Sequence, residues 1–545
     1  MKNNAMASSL RYALSACALL ALSHSASSQT VLFEATSPTL DDAFGWAVAF
    51  LDDLDGDGNQ DWIVGCPGDD NGGADAGRAL VYSGTSGVLL HTFQGAAPGR
   101  ELGYAVAGAP DLDLDGVGEI LVGAPGGGRV KVFSGVSGAL LFEAQHPGRF
   151  GASVCAIGDW SGDGVADIAG GAPDAKTVYV YDGASGALVR SLTSGAYNMG
   201  HSVADIGDVD FDGVADLATG APSWDGGGWL PDQGKLFVYS GAGGALLYTV
   251  DGSNEASELG WSLAGVGDMD GDGAGDFLVG SRGHGSLHCW EPGRVDLLSG
   301  ASGSNLQRWD GSCDSMLGCS VAAAGDVDQD GVMDVLAGEA YRYRYMLYSG
   351  AAGSTLVTQD GSQNFGWAVA GGGDVNGDGY PDFIGASPGG SVWPSYWSGT
   401  GKVQIMTVGC PADAATSYCP LTPNSVGPGA SLYHQNSLSI AANNLRLVAV
   451  DLPPTQFGLF YYGPLASQIP FGDGNRCVAG GVYRLQVVST GSGAASHLVD
   501  YASPPQASAQ ITPGSTWFFQ FWYRDPVAAG VGYNLTDGLR LHFCP

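Results

Sequence analysis

The chain has 545 residues, 90 of them glycine, and sets 55 Asp or Glu against 21 Lys or Arg for a formal net charge of −34. The glycine has no three-residue period, which excludes a collagen-like rod. A hydrophobic share of 44% excludes a disordered acidic chain, and the scarcity of cations argues against nucleic acid as a partner.

Residues 1–28 read as a secretory signal. Lys2 and Arg11 make a basic start, 12–22 is an apolar run too short to span a bilayer, and Ala26-Ser27-Ser28 offers small residues for cleavage. No later run is long and apolar enough to predict a transmembrane segment. The expected location is therefore secreted, extracellular or in the cell envelope. Export permits disulfides. Nine cysteines follow Cys17. Spacing offers Cys313 to Cys319 and Cys410 to Cys419 as local pairs, and leaves Cys477 and Cys544 to staple the C-terminal region.

From residue 53 one phrase recurs seven times, D-x-[DNS]-x-D-G-x-x-[DE], beginning at Asp53, Asp111, Asp159, Asp208, Asp268, Asp326 and Asp374. Each copy stands in the same frame. A short phrase such as Phe44-Gly45-Trp46 or Leu102-Gly103-Tyr104 precedes it. An alternating apolar run leads into the acidic loop. A second run leads out and closes on Gly65-Cys66-Pro67, Gly123-Ala124-Pro125, Gly171-Ala172-Pro173 or Gly220-Ala221-Pro222. A third run, a Ser-Gly-x-x-Gly turn and a fourth run complete the unit. Four short β-type runs between glycine turns predict one four-stranded sheet per repeat. In the last three repeats the Gly-Ala-Pro phrase reads Gly280-Ser281-Arg282, Gly338-Glu339-Ala340 and Gly385-Ala386-Ser387.

The loops are candidate metal sites. Positions 1, 3, 5 and 9 carry oxygen side chains, position 6 is Gly, and position 7 offers a backbone carbonyl. The predicted ligands are Asp53, Asp55, Asp57, Asn59 and Asp61 in the first loop, and Asp111, Asp113, Asp115, Val117 and Glu119 in the second. The third supplies Asp159, Ser161, Asp163, Val165 and Asp167, and the fourth Asp208, Asp210, Asp212, Val214 and Asp216. The fifth supplies Asp268, Asp270, Asp272, Ala274 and Asp276, and the sixth Asp326, Asp328, Asp330, Val332 and Asp334. The seventh supplies Asp374, Asn376, Asp378, Tyr380 and Asp382. Carboxylates this close repel one another without a cation, and an all-oxygen set suits Ca²⁺ in a structural role. Ser161 and Asn376 lower the charge of their loops, so those two are expected to bind more weakly. An EF-hand is excluded: position 12 is Val64, Val122, Gly170, Thr219, Val279, Ala337 or Gly385, never an acid.

Taken together, the Phe-Gly phrase, the acidic loop and the Gly-Ala-Pro phrase resemble the FG-GAP repeats of integrin α chains. The resemblance covers residues 30–408. It implies a seven-bladed β-propeller with Ca²⁺ hairpins on one face. Residues 30–35 match the fourth strand of the second repeat, so the N-terminal strand is expected to complete the seventh blade and close the ring.

On the opposite face, connections rich in aromatics are the expected partner surface, for an extracellular protein or a glycan: Trp224, Trp229, Trp290, Tyr341, Tyr343, Trp393 and Trp397. From residue 409 the composition changes, with no Lys, no Glu, six Asp and five Arg up to residue 545. A linker over 409–428 and a β-sandwich or jelly-roll-like domain over 429–545 are predicted, with strands near 438–442, 445–452, 457–462, 482–489, 517–523 and 539–543. The expected organisation is thus all-β: signal 1–28, propeller 29–408, linker, sandwich. The expected function is non-enzymatic extracellular binding or adhesion. The alternative is a carbohydrate-active lyase or hydrolase working through the upper loops, although no HExxH, GxSxG or phosphate-loop motif occurs.

Overall fold

The computed structural model describes residues 29–543, except 38, 227–231, 254–255, 284–291, 329, 363, 378, 390, 393–394, 397–399, 409–414, 436–437, 439–442, 502, 513–514 and 528–529. The predicted signal, Asp378, Trp229, Trp290, Trp393, Trp397 and most of the strand expected over 438–442 lie outside the described residues.

Among the described residues the fold is almost wholly β. Seven antiparallel four-stranded sheets follow one another along the chain. The first is typical: Ala47–Phe50, Trp62–Cys66, Arg78–Tyr82 and Leu89–Gln94 pair in sequence order. The seventh departs from that rule. Its strands Ala368–Gly373, Asp382–Ser387 and Lys402–Val408 are completed by Gln29–Thr36, which pairs antiparallel with Lys402–Val408 across one bulge between Val31 and Phe33. The first strand of each sheet lies beside the first strand of the next, and Ala368–Gly373 returns to Ala47–Phe50. This is a propeller-like arrangement. Its cores lie between neighbouring sheets: Ile63, Val81 and Phe93 of the first pack on Ile120, Val122 and Phe133 of the second.

Glycine makes that contact close. A Cβ on Gly65, Gly123, Gly171, Gly220, Gly280 or Gly338 would stand 1.9–2.1 Å from the carbonyl oxygen of the Phe-Gly glycine in the following sheet. The two glycines of the motif therefore touch across a sheet boundary. The register corrects the sequence reading of the seventh repeat. Ala386 pairs with Ala368 as Gly65 pairs with Ala47, so the phrase there is Ala386-Ser387-Pro388, one residue later than expected. At that boundary the approach is looser, with the Cβ of Ala386 3.3 Å from where a Cβ on Gly45 would sit, and alanine fits.

Among the described residues, the C-terminal residues form two large sheets and one two-stranded hairpin. One runs Ala415–Ser417, Leu539–His542, Thr516–Arg524, Phe457–Gly463, Tyr483–Ser489, with Tyr533–Leu535 also paired to Thr516–Arg524; the other runs Ser431–Gln435, Arg446–Val450, Ala495–Leu498. Leu432, Leu447 and Ala495 of the smaller share a core with Phe460, Phe519 and Phe521 of the larger. Strand Thr516–Arg524 is apolar on both faces for a local reason. Phe519, Phe521 and Tyr523 face that core, while Phe518 and Trp522 pack with Tyr461, Val478 and Leu535. The covering element is the hairpin Leu465–Phe471 and Gly474–Ala479.

A disulfide joins Cys419 to Cys477, with Cα atoms 6.3 Å apart. This overturns the expected pairing of Cys410 with Cys419 and of Cys477 with Cys544. Proximity in sequence was the wrong guide, since the hairpin brings Cys477 back over 58 residues. Cys313 is disulfide-bonded, but Cys319 is a buried free thiol, so the pair expected between them is not formed.

Candidate functional site

The acidic loops and the Phe-Gly phrases occupy opposite ends of the same strands. In each sheet the first strand runs from the Phe-Gly phrase toward the loop.

Each loop is built by its own carboxylates. In the first, Asp53 Oδ1 accepts the amides of Gly56 and Asp57, and Oδ2 accepts that of Gly58. Asp55 accepts the amide of Asp57, and Asp57 that of Asn59. These are chained Asx turns. The turn needs a left-handed residue at position 6, and Gly58, at φ 95°, supplies it. The predicted position-7 residues Asn59, Val117, Val165, Val214, Ala274 and Val332 all donate their amide to the position-5 carboxylate.

Position 9 does more than the sequence suggested. Asp61 is fully buried; its Oδ2 accepts the amide of Leu54 and its Oδ1 that of Gly84, each at 2.9 Å. Asp167, Asp216, Asp276 and Asp334 repeat both bonds. Asp382 repeats the first with Val375. The side chain thus ties the loop to the Ser-Gly-x-x-Gly turn between the third and fourth strands. Burial pushes the carboxyls of Asp61, Asp167, Asp216 and Asp334 up to about 6, and that of Glu119 to about 7.

Among the described residues, five loops gather at least three carboxylate oxygens within 4.8 Å of one another. They are Asp53, Asp55 and Asp57; Asp111, Asp113, Asp115 and Glu119; Asp208, Asp210 and Asp216; Asp268, Asp270 and Asp276; and Asp326, Asp328 and Asp334. These clusters could hold a metal ion. The loop with Ser161 is not among them, and neither are the described acids of the loop with Asn376. Glu119 bears on the fit directly. Its Oε2 accepts the amide of Leu112, while its Oε1 is buried with no hydrogen-bond partner beside three Asp. An oxygen-seeking cation would satisfy that atom.

At the other end of the strands lies a cavity of about 550 Å³. Every sheet contributes the residue after its Phe-Gly glycine: Trp46, Ala152, His201, Trp261, Cys319, Trp367 and Tyr104. Trp46 lies 5.2 Å from both Tyr104 and Trp367, and His201 lies 4.3 Å from Trp261. Arg282 stacks 3.1 Å over the Trp261 ring and Arg149 5.1 Å over Tyr104; each also pairs with a glutamate, Glu258 and Glu101. Burial, with Arg282 adding to it, holds His201 down at about 4, so its ring is neutral near pH 7. A latch runs round the rim: Ser153, Ser202, Ser262 and Cys319 donate to the carbonyls of Gly200, Gly260, Gly318 and Gly366 in the following sheets.

The expected partner surface fares differently. Trp224 packs partly into the core under Lys235, Tyr341 is half-buried, and Tyr343 is exposed. The aromatic ring was missed although its signal was present, in the residue following each Phe-Gly pair.

Known proteins carry the same frame. The FG-GAP repeat model matches residues 365–406, which is the seventh repeat. The chain carries FG-GAP repeats and is integrin-α-like. Integrin alpha-5 of Xenopus laevis is 32% identical over 176 residues, integrin alpha-7 of Mus musculus 31% over 149, and integrin alpha-6 of Homo sapiens 32% over 143. These matches cover 24–28% of this chain and 13–17% of the relatives, so the chain spans a small part of their length. No helix among the described residues is long and apolar enough to cross a membrane.

Proposed function

We propose that this chain is an extracellular recognition protein: a closed seven-bladed propeller, clamped by structural Ca²⁺ on one face and binding a protein or glycan partner on the other, with a separate β-sandwich after it. One observation carries the reading, the aromatic and arginine ring to which all seven sheets contribute. A ring of this kind forms only when the sheets hold their places, so a device that fixes the sheets serves the site. Trp, Tyr and Arg are also the residues that dominate binding energy at protein surfaces. The similarity to integrin α chains supports an adhesive or binding role.

The cations would be held by the five clusters, with position 9 both pinning the hairpin and lending an oxygen where it joins the cluster. Bound there, Ca²⁺ supplies charge neutralisation and cross-linking of the loop. The loops with Ser161 and Asn376 would bind more weakly or stay empty. Binding of the labelled chain to a glycan array and to immobilised extracellular-matrix proteins tests the reading. The double variant Trp46→Ala/Trp261→Ala is expected to lose that binding and keep its Ca²⁺. Binding unchanged in the variant, or binding to neither surface, would reject it.

A further inference from the structure

The outer face of the larger C-terminal sheet carries a second cleft, of about 450 Å³, unrelated to the ring above. Its floor is Tyr461 and Trp522, one wall is Tyr533 with Phe471, and Arg476 and Arg484 stand at its side. The rings of Phe471 and Trp522 lie 5.6 and 5.7 Å from that of Tyr533. No carboxylate lines the cleft. Neither arginine forms an ion pair among the described residues, and Arg476 Nε is buried with no acceptor. Asp473, the acid nearest in sequence, is committed to the amides of Val531 and Gly532.

Seven other arginines are ion-paired, Arg78, Arg129, Arg149, Arg282, Arg294, Arg308 and Arg344, all of them in the repeat region. Two guanidiniums at one cleft without a carboxylate, one of them with an Nε that lacks an acceptor, leave a place for an anion brought from outside. The walls describe the rest of the ligand. Tyr461 spends its hydroxyl on Gln520, and apart from the two arginines, the Tyr533 hydroxyl and the Trp522 indole N–H the remaining lining is apolar. Beyond the cleft a band of exposed apolar side chains continues along the neighbouring strands, with Leu465 57%, Ile469 48% and Val487 66% exposed. That band is wider than a small metabolite would cover.

We propose that this cleft binds a polypeptide partner through a carboxylate flanked by an apolar side chain, the carboxylate on Arg476 and Arg484 and the side chain against Trp522 and Tyr533. The site is independent of the propeller reading and stands or falls separately. The test is a titration of the full chain with acetyl-Leu-Phe bearing a free C-terminal carboxylate and with the same peptide as its amide, followed by saturation-transfer NMR. The acid is expected to bind about tenfold or more tightly than the amide. Arg484→Gln, an exposed position, is expected to abolish that preference while leaving melting unchanged, and Arg484→Lys to retain part of it. Equal binding of acid and amide, no binding of either at millimolar peptide, or saturation of the cleft by an oligogalacturonate that the acid peptide does not displace would each overturn the proposal.

Discussion

The repeat region and the C-terminal region solve the same problem by different means. Both must fix β-sheets face to face. The repeat region adds backbone to its apolar inter-sheet cores: glycine meets carbonyl at the sheet boundaries, and within each sheet carboxylates accept amides at the loops. The C-terminal region does it with side chains: a core of Phe460, Tyr462, Phe519, Phe521 and Phe543, closed by one disulfide. The difference explains the composition. Of the 55 acids, 26 sit in the seven loops, whereas residues 409–545 contain six acids in all. It also locates the weak points of each region, glycine and acid in one, aromatic packing and the cross-link in the other.

Substitutions test that contrast most sharply where backbone meets backbone. Gly171→Ala places a methyl 1.9 Å from the carbonyl oxygen of Gly200, and is expected to destabilise by about 3 kcal/mol or more. At the equivalent place in the seventh repeat, Ala386→Gly is expected to cost under about 1 kcal/mol. Denaturant unfolding of the two variants measures the gap; equal costs would show that the glycine contact is incidental. In the C-terminal region, Cys419→Ser/Cys477→Ser is expected to cost about 3 kcal/mol and to leave the repeat region's melting in place.

An effect of similar size concerns His201. Its folded value, about 4, lies below the ordinary 6.5 because burial disfavours the charged ring. The neutral form is therefore the one the fold stabilises. That contribution is complete above pH 6.5 and is lost as pH falls toward 4. Relative to His201→Asn, the parent chain is expected to lose about 3 kcal/mol across that window, and NMR titration of the ring checks the value itself. Smallest of all is Leu114→Gly. Leu114 is exposed at φ 63° where other loops carry Gly56, Gly162 or Gly271, and relief of that strain is expected to stabilise by up to about 1 kcal/mol.

How legible all this was in the sequence follows the range of the interaction. The acidic loop is local, nine residues with its ligands and its glycine in one phrase, and its seven copies could be numbered at once. The Ser-Gly turn was visible as a turn, but the bond from Gly84 to Asp61 joins residues 23 apart and needs the hairpin folded. Trp46, His201 and Trp261 meet only because separate sheets converge, so nothing in any one repeat marks them as neighbours. The slip at Ala386 has a plain cause: Gly385 precedes it, and glycine was read as the landmark when the register counted from Asp382 fixes the place. The hairpin ending in Phe471 and Gly474 was missed because Pro470 breaks its alternation, although Gly472-Asp473 at φ 66° carries the turn. With that hairpin unseen, Cys477 had no route to Cys419.

The central claim, that cations at the acidic loops hold the repeat region together, is tested most directly by Ca²⁺ titration of the chelator-stripped chain in a calorimeter, with melting followed in parallel. About five ions are expected to bind tightly, matching the five gathered clusters. The repeat region's melting is expected to rise by roughly 10 °C or more while that of the C-terminal region stays put. No heat of binding and unchanged melting would contradict the account.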